Sequence, residues 1–185
     1  DHVAAVKVPD SKIFNQLEGV SRPHFFYGVT TIVAKLFNLI SPTHTFFGEK
    51  DAQQLYIIEQ MISNMKYPIT LISCPTVRDK NGLALSSRNV YLAISEQNKA
   101  GIIYKGLMHI KYALKRGQKN SVVLKQTFIT ILSQVPEIQI DYISIACAKT
   151  LEEVDIINDR KLLISTAVFF NDVRLIDNFT YQSST

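Results

Sequence analysis

Several features that would assign this chain to a specialised class of protein are scarce in its 185 residues. The two cysteines, Cys74 and Cys147, show no metal-ligand or redox spacing, so we interpret both as reduced core residues. No apolar run approaches the roughly 20 residues that a membrane span requires. The first residues also lack the basic segment and apolar core of a secretion signal. We therefore expect a soluble, cytoplasmic protein that has no membrane partner.

The composition is that of a globular protein, with 46% hydrophobic and 19% charged residues. The formal net charge of +4 raises the question of nucleic acid, but the basic side chains are scattered along the chain. Their densest group lies at the end of a predicted helix, where cations offset the negative end of the helix dipole. This group contains Lys111, Lys115, Arg116 and Lys119. We expect no nucleic-acid partner, and a basic RNA-binding module is the weaker alternative.

The first part of the chain alternates between helical and strand-like patterns. Apolar residues recur at helical spacing after Gly28 and predict a buried helix that ends before Pro42. Residues 45–47 and 69–73 predict strands, and Asp51 is expected to cap a helix between them, with Gln54 three residues on. This alternation predicts an open parallel sheet that binds ligands at the carboxyl ends of its strands. The expected inner faces are Val29, Ile32, Val33, Leu36, Phe37 and Ile40 in the first helix and Leu55, Ile58, Met61, Ile62 and Met65 in the second.

The pattern changes after Arg78. Residues 80–82 predict a turn, and residues 86–89 are polar with little periodicity, as expected of a loop that closes over a ligand. Helices are predicted at about 95–116 and 121–135, followed by strands at 138–146, 162–170 and 173–176. This order predicts a small α+β domain with an antiparallel sheet. We therefore divide the chain into a domain at 1–77 and a domain at 78–185.

One candidate ligand-binding stretch is Phe46-Phe47-Gly48-Glu49-Lys50-Asp51-Ala52-Gln53-Gln54. Gly48 allows a close approach to the backbone, Lys50 supplies an ammonium group, and the following helix begins with unpaired backbone N–H groups that attract anions. The alternative is a sharp strand-to-helix turn on the surface, because a single Gly-x-Lys turn lacks the glycine spacing of a Walker loop or a dinucleotide fingerprint.

A second stretch makes the combination specific. It reads Pro75-Thr76-Val77-Arg78-Asp79-Lys80-Asn81-Gly82-Leu83-Ala84-Leu85-Ser86-Ser87-Arg88-Asn89. Together with the first stretch it closely resembles the pantothenate synthetases, the pantoate:beta-alanine ligases of vitamin B5 synthesis. Further matches are Ser21-Arg22-Pro23, Gly28-Val29, Lys35-Leu36-Phe37-Asn38-Leu39 and Arg174-Leu175-Ile176-Asp177-Asn178. The resemblance runs from about Leu17 to Asn178.

The resemblance implies a fold, a reaction and partners. The fold would be a Rossmann-like α/β domain of the nucleotidyltransferase type, which binds ATP and pantoate, followed by a small C-terminal α+β lid domain. The reaction would be the ATP-dependent joining of pantoate to beta-alanine, with a pantoyl adenylate as intermediate and AMP and pyrophosphate as products. The family also implies a magnesium ion carried mostly by the ATP phosphates, no metal site built from protein ligands, and a homodimer.

The resemblance also implies site residues. ATP contacts are expected at Gly48, Glu49, Lys50, Asp51, Val77, Leu85, Ser86, Ser87 and Arg88, with Val77 acting mainly through its backbone. Lys50, Arg88, Ser86 and Ser87 have the cations and hydroxyl donors to stabilise charge on the transferring phosphate, so we assign them the catalytic role. Asp51 suits a ribose hydroxyl, or it only caps its helix, and Glu49 has no catalytic role.

Pantoate would be contacted by the amide of Gln54, for which a capping-box partner of Asp51 is the structural alternative. Val29, Ile32 and Val33 would line its methyl groups, although a helix face this apolar is more often simply core.

The chain departs from the family pattern in two places. It contains no His-x-Gly-His motif, which in the family lies in an N-terminal stretch of roughly a hundred residues, so we expect the later part of a larger enzyme. After Arg22-Pro23 the family usually reads Gly-His-Phe-Arg-Gly, whereas this chain has Phe25 at the histidine position and Tyr27 at the arginine position. The missing motif motivates an alternative function, a catalytically silent dimerisation or scaffold fragment.

Overall fold

Residues 12–158 and 160–182 are described in the computed structural model of the chain. The chain divides into two compact units, Asp1–Pro75 and Thr76–Thr185, and the break lies two residues before the domain boundary predicted after Val77. The assignment of nucleotide and pantoate binding to one domain and of a lid to the other stays a prediction. Within the described ranges, no helix is long and apolar enough to cross a membrane.

The first unit contains two strands in a parallel pair, with a helix between them. Its elements are a 3-10 helix at Ile13–Asn15, α1 at Glu18–Ser21, α2 at Phe25–Ile40, β1 at His44–Gly48, a 3-10 helix at Glu49–Asp51, α3 at Ala52–Asn64 and β2 at Thr70–Cys74. In the register of the sheet, Gly48 lies opposite Cys74. The carboxyl ends of both strands therefore lie at the same edge, as predicted for an open α/β sheet.

The predicted inner face of α2 is confirmed at Phe37 but wrong for half of its six residues. The residues of α2 that are buried are Phe26, Thr30, Thr31, Ala34 and Phe37, whereas Ile32, Leu36 and Ile40 are exposed. Thr30 can be buried because its hydroxyl donates to the backbone carbonyl of Phe26 at 2.9 Å. A threonine can be buried when its hydroxyl is hydrogen-bonded within the helix. The buried side of α2 can therefore include threonines while part of its apolar side is exposed.

The predicted features of α3 are partly wrong. Asp51 occupies the N-cap position, but its side chain makes no cap hydrogen bond. The buried residues are Gln53, Ile57, Ile58 and Met61, and Met65 is exposed. Ile58 and Met61 therefore confirm the predicted inner face, but a glutamine takes part in it.

The second unit packs helices against a three-stranded antiparallel sheet. Its elements are a 3-10 helix at Ser87–Tyr91, α4 at Ile94–Ala100, α5 at Ile102–Lys115, α6 at Ser121–Leu132, β3 at Ile138–Cys147, β4 at Leu162–Phe170 and β5 at Val173–Tyr181. The strand order is β3-β4-β5, so β4 is central and almost entirely buried. The predicted α+β architecture with an antiparallel sheet is confirmed.

The core of the second unit lies between α5, α6 and the sheet. Leu107, Ile110, Leu124 and Phe128 of the two helices are almost fully buried. A methyl group added to Gly106 would overlap the ring of Phe128, so glycine at this position allows α5 and α6 to approach.

Several local predictions need correction. The helix predicted at 121–135 ends at Leu132, and the strand predicted at 173–176 continues to Tyr181. The helix predicted at 95–116 is two helices, α4 and α5, separated at Gly101. The predicted loop at 86–89 is occupied largely by a 3-10 helix, because the Ser86 hydroxyl accepts the backbone N–H of Arg88 and caps it. The thiols of Cys74 and Cys147 are free but only half-buried, so neither is a full core residue.

Candidate functional site

The first group of predicted site residues follows the carboxyl end of β1. Gly48 ends the strand with φ −72° and ψ 135°, an extended conformation open to any residue. No atom outside its chain neighbours lies within 4 Å of the position that a Cβ would occupy. Gly48 is therefore not required by backbone strain, and its backbone faces open space from which a ligand can approach.

The three charged residues after Gly48 form a 3-10 turn that leads into α3. Lys50 is half-buried, whereas Glu49 and Asp51 are exposed. The turn brings one cation and two carboxylates to the start of a 13-residue helix. The positive end of the helix dipole favours an anion beside the Lys50 ammonium group.

The two glutamines at the start of α3 have different environments. Gln53 is buried, and its amide donates to the carbonyls of Ile13 at 2.7 Å and Gln16 at 2.8 Å and accepts the N–H of Glu18 at 3.1 Å. Gln54 is half-buried, and its side chain makes no hydrogen bond within the described part of the chain. The alternative role of Gln54 as a capping-box partner of Asp51 is therefore wrong, and its amide is available to a ligand.

The residues predicted to line pantoate lie on the outward face of α2. Val29 and Val33 are half-buried, and Ile32 is 54% exposed. The alternative, that these three residues are simply core, is wrong for Ile32. The side chains form part of an apolar helix surface that Phe26 and Phe37 do not share, since those residues point into the unit.

Aromatic side chains occupy the positions at which the chain departs from the family pattern. The Arg22 guanidinium lies over the ring of Phe25, 3.5 Å from its centroid. Tyr27 packs edge-on against Phe14 at 4.8 Å. His24 adopts a left-handed conformation with φ 66° just before α2 and is exposed. Phe25 and Tyr27 thus contribute aromatic packing where the family pattern has a histidine and an arginine.

The second group of predicted site residues begins with a short antiparallel ladder. The backbone N–H of Leu85 donates to the carbonyl of Val77 at 2.9 Å, and Arg78 pairs with Ala84 as an isolated bridge. Gly82 closes the turn with φ +89°, a conformation that favours glycine. The structure therefore brings Val77 and Leu85 together as direct partners, although they are eight positions apart in the sequence.

The ladder leads directly into Ser86, Ser87 and Arg88. Ser86 is half-buried and uses its hydroxyl oxygen as a cap, which leaves the hydroxyl proton free to donate. Ser87 is exposed. Arg88 is half-buried, and its Nη1 donates to the backbone carbonyl of Arg174 on β5 at 3.1 Å. One hydroxyl and one guanidinium are thus held in place, and the second hydroxyl faces solvent.

The predicted site residues therefore form two groups, one in each unit. The first contains Gly48, Glu49, Lys50, Asp51 and Gln54 at one edge of the parallel sheet, with Val29, Ile32 and Val33 on α2. The second contains Val77, Leu85, Ser86, Ser87 and Arg88. In the described residues, no cluster of three or more histidines, cysteines, aspartates or glutamates could hold a metal ion.

The basic group at the end of α5 is separate from these residues in the sequence. Its member Lys115 lies in the last turn of the helix, where a cation offsets the negative end of the helix dipole. Gly117, at φ +89°, and Gln118 donate their N–H groups back to the carbonyls of Leu114 and Ala113, which ends the helix in a Schellman arrangement. A cavity of about 370 Å³ lies beside this turn. It is lined by Lys111, Leu114, Lys115, Gly117, Gln118, Lys119, Ile157, Asn158, Thr180, Tyr181 and Gln182.

Sequence reasoning missed an ion pair in the second unit. Arg78 and Asp177 were part of the matching motifs, but neither was assigned a role. They bind each other through two hydrogen bonds of 2.5 and 2.9 Å, across 99 positions of sequence. The only sequence signal for this pair is that both residues belong to stretches that resemble the same family.

Curated proteins share much of this sequence. The chain is 42% identical over 164 residues to the pantothenate synthetase of Clostridium botulinum strain 657, a match that covers 89% of this chain and 58% of that protein. The pantothenate synthetase of Chloroflexus aggregans is 43% identical over 163 residues, with 88% and 59% covered. The chain therefore spans about 58% of the length of these curated relatives.

Solved structures have the same fold. The crystal structure of pantothenate synthetase from Thermus thermophilus matches with a TM-score of 0.86 and 36% identity, over 95% of this chain and 63% of that chain. The pantoate-beta-alanine ligase of Francisella tularensis, crystallised with beta-gamma ATP and beta-alanine, matches with a TM-score of 0.70 and 32% identity, over 95% and 57% of the two chains. This likeness confirms the nucleotidyltransferase-type fold.

A family model described as pantoate-beta-alanine ligase matches residues 2–180, which is nearly the whole sequence. This match agrees with the two curated relatives and the two solved structures. The chain belongs to the pantoate-beta-alanine ligase family.

Proposed function

We propose that the chain provides the nucleotide and pantoate contacts of an AMP-forming ligase that joins pantoate to beta-alanine. Membership of the family supports this function, and the Francisella relative was crystallised with beta-gamma ATP and beta-alanine. The observation that carries the proposal is the turn after β1. There an open glycine backbone, a cation and a helix start lie together at the carboxyl edge of a parallel sheet.

The chemistry of this reaction needs no covalent protein nucleophile. The pantoate carboxylate attacks the α-phosphate of ATP and pyrophosphate leaves, after which the amine of beta-alanine attacks the acyl adenylate and AMP leaves. The protein has to hold two anions close together and stabilise the charge that develops on the phosphate. Lys50 is suited to this task because it is a half-buried cation on a turn fixed between a strand and a helix.

The second unit supplies its own set of donors for phosphate oxygens. Ser86 and Ser87 offer hydroxyl protons, and Arg88 offers the N–H groups other than the one it donates to Arg174. We propose that Arg88 binds the ATP phosphates with a guanidinium that is already oriented by β5. This replaces the expectation of a mobile loop, because residues 87–91 form a capped 3-10 helix.

Pantoate recognition is assigned to the first unit. Gln54 is half-buried and lies one helical turn from Lys50, and its side-chain amide makes no hydrogen bond in the described residues. Val29, Ile32 and Val33 form an apolar surface suited to the two methyl groups of pantoate. An amide and an apolar patch together match a small branched hydroxy acid.

Three finer features belong to the same proposal. A magnesium ion would be held by the ATP phosphates and water, and it would neutralise part of the phosphate charge. A homodimer and a cytoplasmic location fit a metabolic ligase of this family. Each can be measured directly, by the Mg²⁺ dependence of the reaction, by sedimentation and by cell fractionation.

Lys50→Ala tests the proposal. The variant is best assayed in a chain extended to the family's length with the corresponding segment of the Clostridium botulinum relative. Loss of one contact to the transition state lowers adenylate formation by a factor on the order of 100, measured as pyrophosphate release in a single turnover. Lys66→Ala, at the opposite end of α3, is the matched control and leaves the rate unchanged.

A rate of pyrophosphate release near that of the parent would remove Lys50 from the mechanism. A parent chain that is stabilised by neither ATP nor pantoate in a thermal-shift titration would favour the scaffold alternative instead. Stabilisation by RNA that disappears at high salt would favour the nucleic-acid alternative.

A further inference from the structure

The ion pair between Arg78 and Asp177 joins two charged side chains that are largely shielded from solvent. The side chain of Asp177 is 3% exposed and that of Arg78 is 18% exposed. Arg78 donates from Nη1 to one carboxylate oxygen and from Nη2 to the other, which is the bidentate geometry of a strong pair. A pair this buried persists only if its other polar atoms are also satisfied.

The surroundings of the pair meet that condition. Nη1 of Arg78 also donates to the carbonyl of Gly82 at 3.0 Å, and the guanidinium lies 4.1 Å from the centroid of the Tyr104 ring. Asp177 additionally accepts the backbone N–H of Asn178 at 2.8 Å. Arg78 is therefore fixed by its own turn, by α5 and by β5 together.

A second link joins the same segment to the same strand. Arg88 donates to the backbone carbonyl of Arg174, which lies three residues before Asp177 on β5. The side chain of Arg174 is in turn held by the carboxylate of Asp141 on β3 at 2.7 Å. Residues 77–88 are thus attached to the antiparallel sheet near both of their ends.

The segment is also fixed between these two links. Oδ1 of Asp79 accepts the N–H groups of Asn81 at 2.8 Å and Leu83 at 2.9 Å. Asn89 is buried, and its side chain donates to the carbonyl of Ala84 at 3.3 Å. The turn is therefore held by internal hydrogen bonds as well as by its two links to β5, and the side chain of Asn81 also donates to that of Asn98 on α4 at 2.6 Å.

We propose that Arg78 and Asp177 are positioning residues, which hold Val77, Leu85 and Arg88 in their ligand-binding geometry before the nucleotide arrives. This inference rests on the proposed function, because it assigns the pair to the orientation of residues that would contact ATP. Neither residue of the pair touches the ligand in this proposal. The pair acts through the ladder, the paired residues 77–85, which it links to β5.

The location of the pair favours positioning over general stabilisation of the core. The apolar core of the second unit lies between α5, α6 and the sheet, and none of the ladder residues except Leu83 belongs to it. An ion pair that only stabilised the core would join two of its elements. This pair joins β5 to the short ladder of residues 77–85, which carries the predicted nucleotide contacts Val77 and Leu85.

Amide hydrogen exchange of the chain tests the structural half of the proposal. In Asp177→Asn the N–H groups of Asp79, Leu83 and Leu85 exchange at least about tenfold faster than in the parent, whereas amides of β3 and β4 keep their protection. Arg78→Lys keeps the charge but loses the bidentate pair, so it shows the same local effect with less risk to folding. Lys125→Met removes the exposed pair with Glu153 and is the control.

Unchanged protection of the three amides in both variants overturns the proposal. Loss of protection throughout β3 and β4 in both variants also overturns it, because the pair would then stabilise the whole unit. These outcomes do not depend on whether the protein binds a nucleotide.

Steady-state kinetics in the chain extended to the family's length test the functional half. In Asp177→Asn and Arg78→Lys, displacement of the ladder raises the KM for ATP and lowers kcat/KM for ATP by about 100-fold. The KM for pantoate changes little in both variants. An equal rise of both KM values, or no change while the amides lose protection, refutes the positioning role. If the parent itself forms no adenylate, the proposed function fails, while the exchange data still decide whether the pair anchors the ladder.

Discussion

Gln53 and Gln54 are adjacent in the sequence, yet the structure gives them different roles. Gln53 is 4% exposed and makes three hydrogen bonds to backbone groups of the segment before α2. Gln54 is half-buried, and its side chain makes none within the described residues. Replacing each by alanine therefore separates a residue that holds the fold from one that is available to a ligand.

The size of the effect for Gln53→Ala follows from its contacts. Each lost hydrogen bond costs about 1 kcal/mol net, and a buried partner left unpaired costs about 1–3 kcal/mol. Because the partners are the carbonyls of Ile13 and Gln16 and the N–H of Glu18, the first unit loses about 3 kcal/mol of stability. Native-state amide exchange of the α3 amides measures this loss without interference from the second unit.

For Gln54→Ala we expect little change in stability but a loss of affinity for pantoate. Stability of the first unit changes by less than about 0.5 kcal/mol, as for a substitution without buried contacts. Pantoate affinity falls by about tenfold, the equivalent of one hydrogen bond, in calorimetric titration of the chain extended to the family's length. Equal losses of stability in the two variants would refute the reasoning. An unchanged pantoate affinity would move the substrate site elsewhere.

Two further predictions concern the second unit. Gly106→Ala destabilises the second unit by about 1–3 kcal/mol in urea unfolding, because the new methyl group overlaps the buried ring of Phe128. This loss is expected although alanine favours helices. Phe128→Leu in the same chain recovers part of the lost stability. Burial raises the pKa of the Cys147 thiol, but hydrogen bonds from the backbone of Lys149 and Thr150 outweigh it and hold the pKa below its usual value. Thiolate therefore persists to lower pH, so iodoacetamide labelling of Cys147 slows less than that of a model peptide as the pH falls from about 8 to about 7, and an identical pH profile would contradict this.

The positions of the helices and strands were predicted from the sequence better than the faces that they bury. The strands and their parallel or antiparallel pairing follow from periodicity and turn residues, which are local signals. The buried face of α2 could not be predicted in this way, because the prediction considered only the spacing of apolar residues. Thr30 is buried, and its hydroxyl donates to the backbone carbonyl of Phe26. The predicted loop at 86–89 failed for a similar reason, since the cap formed by Ser86 is a side-chain hydrogen bond.

The candidate site shows the same limit. The motif stretches identified Lys50, Arg88 and their neighbours because their order along the chain resembles a family. They could not distinguish Gln53 from Gln54, whose environments depend on a segment about 35 to 40 positions away. They also could not pair Arg78 with Asp177 across 99 positions, because a contact between distant residues leaves no local pattern.

If residues 77–88 contact the nucleotide as proposed, the backbone pairing of Val77 with Leu85 has a consequence for which base the site accepts. The carbonyl of Val77 already accepts the N–H of Leu85, whereas the N–H of Val77 makes no hydrogen bond among the described residues, and the residue is 67% exposed. A free backbone donor matches the unprotonated ring nitrogen at the pairing edge of adenine and opposes the N–H that guanine carries there. Discrimination against GTP would then come from the main chain, so that substitution of the Val77 side chain leaves the ATP preference intact. Competition of GTP with ATP in parent and Val77→Ala chains measures it, and equal affinities for the two nucleotides in the parent would exclude this source of selectivity.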